Sequence, residues 1–162
     1  MKKFELTSES IVNIFGKKLF RIKALIEFGN VKEGELGGFI EKEENLSHEG
    51  NAWVYGNAEV YGNAEVFGDA KVFEGAKVFG DAKVCGNAKV CGNADYATVK
   101  GFGTEYRITT FFKCRDGVTR VKCGCFYGDL VEFRNQVKNT RKGKIAEEYL
   151  MIADLMEKHF DK

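Results

Sequence analysis

Few side chains in this sequence have the types and spacing to do chemistry. There are only two histidines, His48 and His159, the residues whose ordinary pKa suits proton transfer near neutral pH. His48 stands just before a run of near-identical six-residue units, and no long insertion interrupts those units to build an acceptor pocket beside it. It reads more plainly as a partly exposed corner residue than as a general base. The five cysteines, Cys85, Cys91, Cys114, Cys123 and Cys125, are odd in number and read as reduced thiols. Cys114, Cys123, Cys125 and His159 include the donor types for zinc. However, Cys123-Gly124-Cys125 lacks the two-residue spacing of a zinc knuckle and reads as alternating sites of one strand. No Ser-His-Asp order, phosphate-binding loop or dinucleotide fingerprint occurs, and Gly101-Phe102-Gly103 lacks a third spaced glycine and reads as a hinge. The chemistry therefore predicts no catalytic residue, no metal and no cofactor.

A second kind of chemistry is recognition. Arg134, Lys138, Arg141, Lys142 and Lys144 fall within eleven residues that hold no acid. Such a run is the place where phosphate of a nucleic acid would be contacted, although a solvated face without interleaved aromatics is its commoner meaning. The repeated units carry another recognition surface in Tyr55, Tyr61, Phe67, Phe73 and Phe79, followed at the same spacing by Cys85 and Cys91. All these positions are predicted to point outward, and soluble proteins rarely leave large apolar patches bare. Cover by the flanking segments, by a second copy or by a partner is expected.

The elements that must position these residues are legible in the repeat itself: GNAWVY, GNAEVY, GNAEVF, GDAKVF, EGAKVF, GDAKVC, GNAKVC, GNADYA. Within a unit Ala and Val alternate with Glu or Lys and an aromatic residue, the period of a short strand with Ala and Val inside. The Gly-Asn or Gly-Asp pair supplies the corner, since these residues tolerate left-handed backbone angles. At Glu74-Gly75 the glycine moves to second place, which predicts that the second corner position is the left-handed one. This spelling resembles the left-handed parallel β-helix of the hexapeptide-repeat superfamily, in which three units close a circuit of about 18 residues. Residues 18 apart then stack, placing Glu59 beside Lys77, Glu65 beside Lys83 and Trp53 beside Lys71. Ile40 and Leu46 extend the spacing upstream as equivalents of the alanines.

Three segments follow from this: a β-hairpin cap over 1–36, the β-helix over 37–97, and an α+β domain over 98–162. In the cap, Phe4-Glu5-Leu6, Val12-Asn13-Ile14-Phe15 and Leu19-Phe20-Arg21-Ile22 read as short strands around a turn at Gly16-Lys17-Lys18. In the last segment, Tyr106 to Lys113 and Val118 to Phe126 flank Arg115-Asp116-Gly117 as a hairpin, and two helices follow. Asp129 and Glu132 form a capping box, Leu130, Phe133 and Val137 one apolar stripe, and Ile145, Tyr149, Ile152, Met156 and Phe160 another. These stripes are expected to cover one aromatic column of the repeat region.

Beyond the hexads, Phe28-Gly29-Asn30-Val31, Gly37-Gly38-Phe39-Ile40-Glu41 and Glu44-Asn45-Leu46-Ser47 resemble the lead-in segment of bacterial and bacteriophage hexapeptide-repeat proteins. Gly101-Phe102-Gly103, Thr109-Thr110-Phe111-Phe112, Cys123-Gly124-Cys125-Phe126 and Glu132-Phe133 resemble the domain of unknown function that follows hexads in phage members. The resemblance implies a phage- or prophage-encoded protein. Two enzyme types share the repeat fold. Trimeric acyltransferases use a histidine base beside acyl-CoA between subunits, and gamma-class carbonic anhydrases need three histidines around zinc, which this chain cannot supply.

The 162 residues carry 25 Lys+Arg against 24 Asp+Glu, so net charge favours neither nucleic acid nor an acidic partner. No apolar run approaches the roughly 20 residues of a membrane span, and no signal peptide is read. The expectation is a cytoplasmic, non-catalytic interaction protein that binds and inhibits a host protein, for instance a CRISPR nuclease. The alternatives are an acyltransferase-like enzyme or small-ligand binder, and a structural component of the virion.

Overall fold

Alanine and valine alternate through the repeats, and burial follows them: each such Ala from Ala52 to Ala88 and each Val from Val54 to Val90 is fully buried. The computed structural model describes residues 2–161, mainly strands with two helices near the C-terminus. The chain divides into two compact units, Met1–Asn93 and Ala94–Lys162.

In the first unit a hairpin of β1 (Phe4–Val12) and β2 (Lys18–Ala24) is followed by β3 (Leu36–Ile40). Each repeat then gives a two-residue strand: β4 (Trp53–Val54), β5 (Glu59–Val60), β6 (Glu65–Val66), β7 (Lys71–Val72), β8 (Lys77–Val78), β9 (Lys83–Val84) and β10 (Lys89–Val90). These strands pair in parallel, β4 with β7 and β10, β5 with β8, and β6 with β9, so the chain visits three strips in rotation. Trp53 pairs with Lys71, Glu59 with Lys77 and Glu65 with Lys83, the register predicted from the spacing. The ion pair of Lys77 with Glu59 measures 4.0 Å, and Lys83 contacts Glu65 directly.

Two expectations about the repeats are corrected. Ile40 pairs with Val60 and Leu46 bridges to Val66, so they stand in the valine column and not the alanine column. Because Val54 pairs with Val72, the first circuit holds two residues more than the later ones. The surplus lies between Leu46 and Trp53, at the corner that contains His48. An even insertion keeps the same side chains pointing inward, so the alternation does not betray it. The corner geometry is also reversed: Gly50, Gly56, Gly62, Gly68, Gly80 and Gly86, all in first place, have φ between 60° and 71°, and Glu74 adopts φ 60° in the same place. A side chain built on Gly50 would strike the Gly68 carbonyl at 2.5 Å, whereas around Gly56, one circuit before Glu74, the space is open.

The hairpin joins the repeat region through β3, which pairs antiparallel with β2 and parallel with β5, making a sheet of order β1-β2-β3-β5-β8. The expected turn at Gly16-Lys17-Lys18 is shifted. The chain reverses over residues 13–17, where the Asn13 side chain accepts from the Phe15 and Lys17 amides at 3.0 Å each, so Ile14 and Phe15 lie in the turn and not in a strand.

Backbone bonds between circuits run from an earlier amide to a later carbonyl, as in Trp53 N–H to Ala70 O at 3.1 Å. Carbonyls of the first regular circuit therefore face the N-terminal end, where the backbone amides of Phe39, Glu41 and Ser47 supply part of the donors and side chains a further part. The Lys3 ammonium donates to Ala52 O at 2.7 Å and Gly50 O at 3.3 Å, and Arg21 to Gly56 O at 3.3 Å and Gly37 O at 2.7 Å. Asn45 donates to Ala64 O at 2.8 Å and Gly62 O at 3.2 Å while its oxygen accepts from the Glu41 and Lys42 amides. Gly37 and Gly38 are needed at the crossing, because a Cβ at either would fall 2.6 Å from a carbonyl oxygen below, Val54 O or Ala58 O respectively.

The second unit is an antiparallel meander of β11 (Tyr96–Val99), β12 (Thr109–Lys113), β13 (Thr119–Cys123) and β14 (Phe126–Asp129), followed by α1 (Leu130–Thr140) and α2 (Gly143–Phe160). A boundary after residue 97 would cut β11, which pairs over its whole length with β12. The capping box forms, with Glu132 N–H donating to Asp129 at 2.8 Å and Asp129 N–H to Glu132 at 3.0 Å. The helix stripes pack on their own sheet: Phe133, Val137, Tyr149, Ile152, Met156 and Phe160 share one core with Phe111 and Val121. They are thereby taken up in the core of this unit.

Two substitutions test the corner and cap readings by urea unfolding. Glu74→Gly removes left-handed strain at a site with room for either residue and should stabilise by about 1 kcal/mol. Asn45→Ala strips several buried backbone groups of their partner and should cost on the order of 3 kcal/mol, while Asn45→Asp, which cannot donate to the carbonyls, should recover little of that loss.

Candidate functional site

The outward aromatic residues form columns along the strips. Tyr55 stacks on Phe73 with centroids 4.6 Å apart and planes at 11°, and Tyr61 stacks on Phe79 at 5.1 Å and 5°. Phe67, on the third strip, is half-buried. The columns differ in cover. Tyr61 is buried in a cluster with Leu19 and Phe39, against which Ile11 of the hairpin packs. Its hydroxyl has no hydrogen-bond partner, and burial raises its pKa, with the Glu59 charge adding to the effect. One rung further, Phe79 is 45% exposed.

Beside Phe79 stands the hairpin turn. The Phe15 ring lies 6.4 Å from the rings of both Tyr61 and Phe79, and Phe15 is 63% exposed. Ile14 is 82% exposed and Val12 also faces solvent. The site that results, Val12, Ile14, Phe15 and Phe79 over Tyr61, joins two of the five expected aromatic residues to Val12, the last residue of β1, and to Ile14 and Phe15, which the sequence predicts in a strand and which lie in the turn. The missed signal was Asn13-Ile14-Phe15-Gly16, a turn-forming Asn and Gly enclosing two large apolar residues.

The histidine expected to be bland is fixed in place. His48 Nδ1 accepts from the Lys3 amide at 3.1 Å, its ring stacks on Phe4 at 4.2 Å, and Nε2 lies 3.4 Å from Glu43 Oε1. Lys2, hydrogen-bonded to Glu43 at 3.0 Å, holds that carboxyl below its ordinary pKa with help from His48. Beside it Lys3 is 1% exposed, lies 4.6 Å over the Phe28 ring and has its pKa lowered to about 8 by burial, against a weaker opposing pull from Asp69. Trp53, expected to receive Lys71, is instead enclosed by Phe4 and Phe28 at 6.4 and 5.3 Å, so the cation seated on a ring here is Lys3.

In the second unit the basic run is split. Arg134 turns onto α2 and pairs with Asp154 at 2.9 Å and Glu157 at 3.2 Å, which raises its pKa and neutralises it. Lys138, Lys142 and Lys144 are exposed, and Arg141 is half-buried. His159 is exposed and packs edge-on against Phe160. The thiols are scattered: Cys123 pairs with Thr109 at one end of the β12–β13 hairpin and Cys114 lies at the other, roughly 17 Å away at the strand rise. Among the described residues no group of three or more His, Cys, Asp or Glu could hold a metal ion, and no helix is long and apolar enough to cross a membrane. Compared with known proteins, the chain matches no family model and no curated protein.

Lys3 predicts a pH signature. Its folded pKa lies below its unfolded value of 10.5, so between about pH 8 and 10.5 the unfolded chain binds more protons. The contribution is full above the unfolded value and is lost as pH falls through about 8. Urea melts of the protein and of Lys3→Met at pH 7, 9 and 10 should show their difference moving in favour of Lys3 as pH rises.

Proposed function

We propose that the protein is a non-catalytic binding module. In this reading the first unit is a short left-handed parallel β-helix under a hairpin cap, and it presents an apolar surface to a partner protein. Three strips visited in rotation, with glycine corners at six-residue intervals, support the β-helix; the hexad spelling supports its hand. The observation that carries the function is the bare apolar strip of Val12, Ile14, Phe15 and Phe79 above a Tyr61 hydroxyl that lacks a partner.

The partner is a different protein and not a second copy. Ile14 and Phe15 sit on a hairpin turn, which suits insertion into an apolar groove as an anchor. Two such tips meeting each other would bury far less than the roughly 800 Å² per partner of a stable interface. The resemblance of the hexads and flanking motifs to bacteriophage hexapeptide-repeat proteins supports a partner in a bacterial host cytoplasm, with inhibition of a defence nuclease as its most concrete form. The acyltransferase alternative is disfavoured by His48, whose two ring nitrogens already face Lys3 and Glu43, leaving neither directed at an acceptor.

The test is capture from nuclease-treated bacterial lysate with tagged protein and with Ile14→Asp/Phe15→Asp, two exposed sites that should leave the melting temperature unchanged. One near-stoichiometric host protein, held by the parent and lost by the variant, is expected. Equal capture by both, no capture by either, or a dimer in light scattering that the variant dissociates would each overturn the reading.

A further inference from the structure

In the second unit two cavities of about 210 Å³ each share three wall residues, Arg107, Arg141 and Tyr149. Gly103, Thr104 and Glu105 line one of them, and Cys123, Gln136 and Thr140 line the other. We propose that this cleft binds a small molecule through a single oxyanion group, phosphate or carboxylate, held between the Arg107 and Arg141 guanidinium groups with the Tyr149 hydroxyl as third donor.

Two guanidinium groups on one small cleft make a fork-shaped donor set that matches the planar or tetrahedral oxygens of such groups. Arg141 has no carboxylate partner among the described residues. Tyr149 is only 4% exposed, yet it lines both cavities; its hydroxyl, which hydrogen-bonds the Thr109 side chain, lies beside Gly103 of the cleft, while its ring packs at 6.0 Å against Phe133. The surroundings leave room for these groups. A side chain at Gly103 would stand 2.6 Å from the Tyr149 hydroxyl, and one at Gly124 would collide with the Arg107 guanidinium; both glycines have positive φ. Tyr106, next to Arg107, holds φ 52° although it is not glycine, backbone strain of the sort found at ligand clamps. The first turn of α2 carries no acid and has Lys142 at its N-cap position, while Arg141 is also the C-cap of α1, so the two helix ends offset each other and the positive charge of the cleft comes from its side chains.

Glu105 already contacts Arg107. That carboxylate is the resident occupant of half the fork, and an incoming anion competes with it. The site thus makes a prediction that a diffuse basic surface does not: removing the Glu105 charge tightens binding.

The experiment is thermal melting and titration calorimetry of the full chain with inorganic phosphate and, separately, succinate, each against sodium chloride at equal ionic strength. A saturable rise in melting temperature with at least one probe is expected, the responding probe identifying the anion class. Arg141→Gln and Tyr149→Phe should weaken binding tenfold or more with unchanged circular dichroism, and Glu105→Gln should strengthen it several-fold. No saturable rise with either probe, a rise that Arg141→Gln leaves unchanged, or an affinity that Glu105→Gln does not increase would each overturn the proposal.

Discussion

A parallel winding directs its backbone carbonyls to one end and its amides to the other, and every other feature of the first unit answers to that polarity. At the N-terminal end the carbonyls of Gly50, Ala52, Gly56, Gly62 and Ala64 have no regular circuit before them. An unpaired buried carbonyl costs about 1 to 3 kcal/mol, and a whole domain is stable by only about 5 to 15 kcal/mol. Closing this end therefore decides whether the repeats fold at all. Lys3, Arg21 and Asn45 do so from three different segments, which ties the first strand, the hairpin and the irregular circuit to the same rung. An ammonium, a guanidinium and an amide serve equally, because what the edge requires is a donor of sufficient reach.

The same demand explains why chemistry-bearing residues of this unit are not free to do chemistry. Lys3, with its lowered pKa, could in another setting be a nucleophile, but its ammonium is spent on two carbonyls and an aromatic face. His48 is held by the backbone of Lys3, by Phe4 and by Glu43 at the corner that the two surplus residues create. Among the exposed groups the apolar ones stand out: the turn of the hairpin and the uncovered end of one aromatic column. It is on this exposed apolar strip that the proposed binding rests.

The parts of the fold set by periodicity were legible in the sequence, and those set by tertiary meeting were not. Ala52 to Val90 and the pairs Glu59–Lys77 and Glu65–Lys83 follow from period two within a period of six. Ile40 and Leu46 were misplaced because an even insertion leaves the alternation intact. The left-handed corner was misassigned because Gly75 suggested a glycine requirement where the chain instead tolerates Glu74 at φ 60°. In the second unit, β11 continues the alternation of the repeats without a break and β14 contains Gly128, so neither was separable as a strand. Gly128 is there because Glu132 and the Phe126 ring lie against it. The five aromatic residues were visible as a class, but only the hairpin decides that Tyr61 is covered and Phe79 is not, and the approach of Arg107 to Arg141 and Tyr149 has no local signature.

The last three strands of the repeats, β8, β9 and β10, pair only with strands of the same hexad pattern, β5, β6 and β7. Duplication of a stretch of coding sequence matching 18 residues would add one strand spacing of about 4.8 Å to each strip and leave the N-terminal hairpin unaltered. Packing sets no ceiling on such growth. Charge does: Lys71 already lies directly beside Lys89, and a further circuit copied from this end would extend a file of ammonium groups along one edge, each repelling the next. Growth of the strips would accordingly be limited by electrostatics unless glutamate-bearing units, like those of Glu59 and Glu65 beside Lys77 and Lys83, alternated with lysine-bearing ones.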